Sequence, residues 1–254
     1  MNRVSHPSAS GARISQTGGW TIREYDTVDS TNFVAGGLPA WQAVRAHTQT
    51  AGRGRFQRHW VSDAGGLWLS AVVPAPSGQE NWQLLPLAAG LAVIEALKTL
   101  GVTPIRLRWP NDIMVGERKL AGLLVDSFDP QRAVIGLGVN VTNQPATEDI
   151  SLRRTAIRLA DILSPSPSLA VLTATILNHL RQTFETLASG GFAVLQPCLN
   201  EMWGGTHQVQ VTLESETRQG TFTGVDEHGR LLLRDQTGKL STLATHEVNL
   251  LREI

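Results

Sequence analysis

Arg106-Leu-Arg-Trp-Pro-Asn-Asp-Ile113 and, close behind it, Gly116-Glu-Arg-Lys-Leu-Ala-Gly-Leu-Leu-Val125 decide how the chain folds. Residues 105–109 are an extended apolar run that ends at Trp109-Pro110, because proline has no N–H to give to a strand ladder. Two short polar residues follow, and after a tight turn Lys119 enters a second strand at 120–125. Strand, turn and strand make a hairpin with Asn111, Asp112 and Lys119 near one end. A carboxamide, a carboxylate and an ammonium gathered there offer oxygen ligands for a hard cation and a compact positive charge for a phosphate, as a magnesium nucleotide requires. The same residues also suit an ordinary hairpin with Asn-Asp in its turn.

Outward from this hairpin, extended runs at 20–25, 43–46, 67–73 and 133–141 alternate with segments of helical character at 31–38 and 82–100, a mixed α/β pattern. Leu85, Ala88, Ala89, Ala92, Ala96 and Leu100 recur at three- and four-residue spacing, the stripe a helix needs to lie on a sheet. After Val141 the spacing predicts helices over 155–162 and 169–187, separated by Ser164-Pro-Ser-Pro-Ser168, with Ser168 placed to cap the second. A short third helix is expected over 192–203. Beyond Gly204-Gly205 the period becomes two, with runs at 209–213, 220–225, 231–234 and 240–245 broken by polar turns. Residues 206–254 therefore read as a small β-barrel packed on a larger domain at 20–205, since so few residues fold alone only marginally. Residues 1–19 have no apolar period and are expected to be disordered.

The 254 residues carry 22 basic and 22 acidic side chains, so no net charge supplies a general field for nucleic acid or an anionic membrane. Cys198, the single cysteine, cannot form an intramolecular disulfide, and no basic segment followed by an apolar run opens the chain, so a cytoplasmic location is expected. Even the apolar window 84–97 is interrupted by Pro86, Gly90 and Glu95, too soon for a membrane span. Only three of the basic residues are lysines, Lys98, Lys119 and Lys239.

Three further segments carry chemistry. Thr50-Ala-Gly-Arg-Gly-Arg-Phe-Gln-Arg-His-Trp60 sets Arg53, Arg55 and Arg58 within six residues, with glycines beside the first two. Guanidinium forks and exposed backbone N–H groups suit a carboxylate or phosphate, and Trp60 could stack on a purine or anchor the loop; a solvated basic turn or an RNA-binding Gly-Arg segment are the alternatives. Val134-Ile-Gly-Leu-Gly-Val-Asn-Val141 places Gly136 and Gly138 on one strand face, where a ligand or another backbone can approach, and adds Asn140. It lacks the third glycine of a dinucleotide fingerprint. Asp29-Ser-Thr-Asn32 precedes a short helix, and a helix cap is its plainest use. No arrangement of histidines and Cys198 suggests a zinc site or a thiol nucleophile, and there is no Walker loop.

Together and in this order, D-S-T-N, G-R-G-R with R-x-W behind it, W-P-N-D, K-L-A-G and the G-x-G-x-N strand resemble the catalytic core of biotin protein ligases over residue 20 to the C-terminus. The resemblance implies a class II synthetase-like α/β domain, a mixed sheet flanked by helices, followed by an SH3-like barrel. It implies an ATP-dependent enzyme that makes biotinyl-5′-AMP from biotin and MgATP, then transfers biotin to a lysine of a carboxylase's biotin carboxyl carrier domain. Ser30, Thr31, Asn32, Gln49, Arg53, Gly54 and Arg55 match residues that hold biotin in the family. Gly122, Leu123, Gly136 and Gly138 would line the pocket for its rings. Lys119 matches the lysine that meets both the biotin carboxylate and the α-phosphate, and with Arg55 is the expected catalytic group. Arg58, Trp60, Asn111, Asp112 and Asn140 match the ATP side, with Trp60 beside adenine and Asp112 near Mg²⁺.

Two departures stand out. Gln57 occupies the place of the loop's usual second glycine, and Arg252 is one position out of register with a C-terminal arginine that some members present to ATP. About twenty residues precede the core, too few for the helix-turn-helix of the members that double as repressors, so DNA binding is not expected. Nothing selects between a monomer and a homodimer. The rival readings are a lipoate or octanoate ligase or transferase of the related fold, and a non-catalytic biotin-binding module.

Overall fold

A computed structural model describes residues 11–75, 79–144, 156–203 and 206–254. Its larger sheet has eight strands, in chain order β1 (Arg13–Thr17), β2 (Trp20–Val28), β3 (Gln42–Gln49), β4 (Leu67–Pro74), β5 (Arg106–Arg108), β6 (Asp112–Val115), β7 (Arg118–Asp129) and β8 (Arg132–Val139). Across the sheet they run β1-β2-β3-β4-β8-β7-β6-β5. The sheet is mixed because β2 and β3 are parallel, joined through the short helix α1 (Thr31–Ala35), while the other pairs are antiparallel. Helices α2 (Leu85–Thr99) and α3 (Leu169–Gly190) pack together and cover one face. Helix α1 sits on the other face, where Ala35 packs with Val44, Val72 and Val134 in a separate small cluster.

The expected apolar stripe of α2 proves narrower than the surface it buries. Leu87, Leu91, Val93, Ile94 and Leu97 are buried along with Leu85, Ala88, Ala89, Ala92 and Ala96, whereas Leu100 lies just past the helix. A helix apolar all round is a helix enclosed all round: the sheet lies on one side, α3 on another, and Gly229 of the smaller sheet against Leu84 and Leu87.

Helix α4 (Gln196–Met202) leads into an antiparallel sheet of β9 (His207–Thr212), β10 (Thr217–Val225), β11 (Leu231–Arg234), β12 (Leu240–Leu243) and β13 (Leu250–Glu253), ordered β12-β11-β10-β9-β13. It is fastened to the larger unit by an Arg106–Glu253 ion pair, by Trp109 Nε1 donating to the Gly229 carbonyl at 3.2 Å, and by a continuous core that includes Val209, Phe222 and Leu231.

Four expectations need correction. Residues 13–17 of the segment expected to be disordered form β1, held by its ladder with β2 rather than by burial. The two-residue turn Gly18-Gly19, with φ of 51° and 79°, makes that hairpin possible. The expected hairpin at 105–125 is a three-stranded meander, because residues 112–115 form a strand of their own between turns at 109–111 and Gly116. Of the helix expected over 155–162, residue 155 lies outside the described residues; the rest is a bridge at Ala156 and a 3₁₀ turn at Leu159–Asp161. The short Leu250–Glu253 strand was not foreseen; it exists through pairing with β9. Ser168 does cap α3, accepting from Val171 N at 3.3 Å.

Candidate active site

The meander β5-β6-β7 builds the fixed half of the site. Register places Arg108 opposite Asp112 and Asp112 opposite Gly122, so the three form a row on one face. The pairing shifts register between Ile113 and Met114, an irregularity that re-aims nearby side chains and brings Lys119 into the row. Lys119 Nζ lies 2.6 Å from Asp112 Oδ1, and Arg108 Nη2 lies 2.7 Å from Asp112 Oδ2. Burial alone would raise the Asp112 pKa, but Lys119 and Arg108 outweigh it and hold the carboxyl below its ordinary range.

The next step across the sheet explains two glycines. Gly122 pairs with Gly138, and the Trp60 indole rests on both: a Cβ at Gly138 would come within 2.5 Å of Trp60 Nε1, and one at Gly122 within 3.1 Å of the ring. The missing side chains make a seat for an aromatic ring. Lys119 Nζ stands 4.9 Å from the Trp60 ring centroid, a cation–π distance. Trp60 Nε1 is buried without a partner, so the indole holds a donor ready for an acceptor brought by a ligand.

The arginine loop supplies the other half. Its base is pinched where Gln49 N donates to Ser62 O at 3.0 Å, and Trp60 N donates to Gly52 O at 2.9 Å. At the tip Phe56 and Gln57 have φ of 56° and 58°, the left-handed region that favours glycine. Gln57 thus keeps the backbone shape a glycine would adopt, at a cost of about 1 kcal/mol. Arg55 Nη2 donates to the Thr245 and Val248 carbonyls at 2.7 and 3.2 Å, and Arg58 Nη2 is 3.5 Å from the Asn249 carbonyl. Burial lowers the Arg55 pKa, Asp112 opposes that and Arg58 adds to it; the guanidinium remains charged at any physiological pH.

Loop and strands share one space. Arg53, Arg55 and Arg58 line a cavity of about 350 Å³ together with Asp112, Lys119 and Asn140, and Gly54, Trp60, Arg108, Asn111, Gly122 and Leu123 are also in its wall. A second cavity of about 800 Å³ shares Arg53, Gly54 and Arg55 and extends to Trp82, Asp126, Arg230 and His246. Asn111 and Asn140 are braced: Asn111 Nδ2 donates to Leu123 O at 2.7 Å, and Asn140 Oδ1 accepts from Asn143 Nδ2 at 3.1 Å. Leu123 is 3% exposed and belongs mainly to the core, whereas Leu124 follows it on the pleat shared with Gly122.

Ser30, Thr31, Asn32, Gln49, Gly136 and Gly138 stand behind that space, and none of them lines either cavity. Gln49 Oε1 accepts from Thr31 N and Oγ1 at 2.8 and 3.1 Å, while Gln49 Nε2 donates to Ser62 Oγ at 2.7 Å. Ser70 Oγ bridges Thr31 Oγ1 and Asn32 Oδ1 at 2.7 and 2.6 Å. The Asn32 amide fills the space over Gly136, where a Cβ would lie 2.2 Å from it. Capping does not account for this segment, because Ser30 is buried and its side chain makes no cap hydrogen bond.

Asp112 fits the expected metal position poorly. Both of its oxygens already face cations, so a divalent ion would have to displace Lys119 or Arg108, and no group of three metal-ligating side chains occurs among the described residues. Arg108, Asn143, Ser70 and Asp126 were missed in the sequence. Arg108 had a usable signal: a three-residue turn after it sets residues 108 and 112 opposite each other.

Mixed sheet, arginine loop and lysine-bearing meander, followed by a small antiparallel sheet, define a ligase-like class of protein that its relatives specify. The family model "Biotin/lipoate A/B protein ligase family" matches residues 23–140, and "Biotin protein ligase C terminal domain" matches residues 207–249. A biotin--[acetyl-CoA-carboxylase] ligase of Paracoccus denitrificans is 30% identical over 83% of this chain and 93% of its own. The bifunctional ligase/repressor BirA of Escherichia coli is 29% identical over 93% of this chain and 76% of its own. A biotin protein ligase from Aquifex aeolicus, solved with biotin and ATP, superimposes with a TM-score of 0.82 at 27% identity, covering 92% of this chain and 99% of that one. The chain belongs to the biotin protein ligase family.

Proposed function

We propose that this ligase joins biotin to a lysine of the biotin carboxyl carrier domain of a carboxylase in two steps on one site. A biotin carboxylate oxygen attacks the α-phosphorus of ATP and pyrophosphate leaves; the carrier lysine then attacks the acyl carbon of biotinyl-5′-AMP and AMP leaves. The first step brings two anions together, so positioned cations must offset their repulsion and the charge that gathers on the transferring phosphate. Lys119 is placed to do this from the strand side and Arg55 from the loop. The observation that carries the reading is their shared cavity, with Asp112 between the two cationic walls.

Asp112 holds Lys119 and Arg108 until an anionic ligand competes for them. Arg58, Trp60, Asn111 and Asn140 take the nucleotide side in this reading, and the Trp60 N–H finds its acceptor there. Thr31, Asn32 and Gln49 lie outside the two cavities and are hydrogen-bonded among themselves and with Ser62, Ser70 and Asp126, so in this reading they meet a ureido ring only by exchanging some of those bonds for it. Arg53 and Arg55 close the loop over the mixed anhydride and keep water from it. Magnesium arrives on the phosphates of the nucleotide rather than on a protein carboxylate. No helix among the described residues is long and apolar enough to cross a membrane; with its single cysteine, the enzyme works in the cytoplasm in this reading.

Purified protein given ATP, labelled biotin and a carrier domain tests the proposal. Label should appear on the carrier only with ATP present. Acceptance of lipoate or octanoate in place of biotin, with no biotin incorporated, would overturn it.

A further inference from the structure

Asp126 is a carboxylate in a site built for anions, and neither the expected chemistry nor the meander accounts for it. It lies on β7 on the pleat of Gly122 and Leu124, where cross-strand pairing continues to Val134. Its Oδ2 accepts from Asn32 Nδ2 at 2.8 Å and stands 3.7 Å from Arg53 Nη2. Both side chains of the ion pair are partly shielded, with 28% exposure for Asp126 and 36% for Arg53.

Followed outward, these contacts close a circuit. From Ser62, just past the loop, hydrogen bonds run through Gln49, Thr31, Ser70 and Asn32 to Asp126. From Asp126 the ion pair returns to Arg53 inside the loop. The loop's base and its first arginine are thus tied to the same polar network, and Asp126 is the link between the part on α1 and the arginine loop. The 3.7 Å separation is long for a hydrogen bond but short enough for a charge to bias where the guanidinium rests.

We infer that Asp126 is a positioning residue that pre-sets where Arg53 of the arginine loop rests, and so how well the loop retains its ligand, while fixing the Asn32 amide over Gly136. It does not touch the reacting atoms; it acts through Arg53. This rests on the ligase reading above. Loss of the carboxylate charge should leave adenylate formation at saturating biotin and ATP close to that of the unaltered protein. Escape of biotinyl-5′-AMP should become about threefold faster, the scale of one partly exposed ion pair.

Four full-length proteins test this: unaltered, Asp126→Asn, Arg53→Gln and the double variant. Each is charged with biotin and ATP, and release of adenylate is followed after dilution, beside the biotin KM and kcat of pyrophosphate exchange. Asp126→Asn should speed release and raise KM more than it lowers kcat. The double variant should release adenylate no faster than Arg53→Gln alone, because the partner is already gone. Asp126→Glu, which keeps the charge, should restore most of the retention and covers the case in which Asp126→Asn folds poorly. Additive effects in the double variant, or unchanged release in Asp126→Asn, would overturn the inference. Failure of the unaltered protein to form any adenylate would instead strike the ligase reading itself.

Discussion

The strand-built corner and the arginine loop line the same cavity yet are held in opposite ways. Lys119, Asp112 and Arg108 stand on neighbouring strands and are paired charge to charge at 2.6 and 2.7 Å. Arg55 and Arg58 reach out of an irregular loop to neutral backbone carbonyls of the segment joining β12 to β13. A guanidinium gains more from a charged oxygen than from a carbonyl, so a bound phosphate or carboxylate can draw the loop arginines away from their resting partners. The strand corner needs no such exchange of backbone. In the proposed reading the strand corner, where geometry must hold within fractions of an ångström, carries more of the chemistry, and the loop more of the retention.

Removing Lys119 should have the largest effect. Lys119→Ala is expected to cut adenylate formation by about a hundredfold or more, as loss of a group that stabilises transition-state charge does; biotin-dependent pyrophosphate exchange reads this out. Near-normal exchange would mean that the strand corner is not where the chemistry lies. Asp112→Ala should come next, leaving Lys119 and Arg108 facing each other without their counter-ion. The expected loss is about 2 kcal/mol of stability in denaturant melts, below the 3–5 kcal/mol range for fully buried pairs because these side chains retain some solvent contact. Arg55→Gly should behave differently from both: formation of the adenylate slowed far less than in Lys119→Ala, because Lys119 still offsets the charge from the strand side, and its escape about tenfold faster. Equal losses in formation and retention would erase the distinction between the two halves.

Gln57→Gly should have the smallest effect and the opposite sign. It relieves left-handed backbone strain of about 1 kcal/mol and should tighten biotin binding up to fivefold by calorimetry, less whatever a more flexible open loop costs. Acid titration sharpens the same comparison. Because the Asp112 pKa is depressed in the folded protein, its stabilising effect is complete above the ordinary carboxyl range. It drains away as pH falls through that range toward the lowered value. A carboxyl ¹³C titration of Asp112 should show a midpoint below that of an exposed aspartate; an ordinary midpoint would mean that the corner is looser than drawn here.

Local pattern made the first half of this legible. Apolar runs marked most strands of the larger sheet and alternation those of the smaller one, Ser168 announced the start of α3, and turn chemistry brought Asp112 and Lys119 to one end of a supersecondary unit. What escaped depends on register or on contacts between distant segments. Strand β1 has almost no buried face and exists because Gly18-Gly19 lets its backbone pair with β2. Arg108 becomes a site residue only once the turn length sets it opposite Asp112. Asp126 and Asn143 are single polar residues whose partners lie on other elements or across a tight turn. The resting partners of Arg55 are backbone carbonyls some 190 residues away, which no side-chain pattern can signal. Gln57 read as a departure from the family loop, and only the backbone angles show that the loop shape survives it.

A crystal structure of the full chain with biotinyl-5′-AMP tests the division of labour most directly. Lys119 should stand in its strand position on the ligand's phosphate, with the Arg55 guanidinium released from the Thr245 and Val248 carbonyls onto that same ligand. Arg55 still seated on those carbonyls while the adenylate lies elsewhere, or a displaced meander beneath an unmoved loop, would contradict that division.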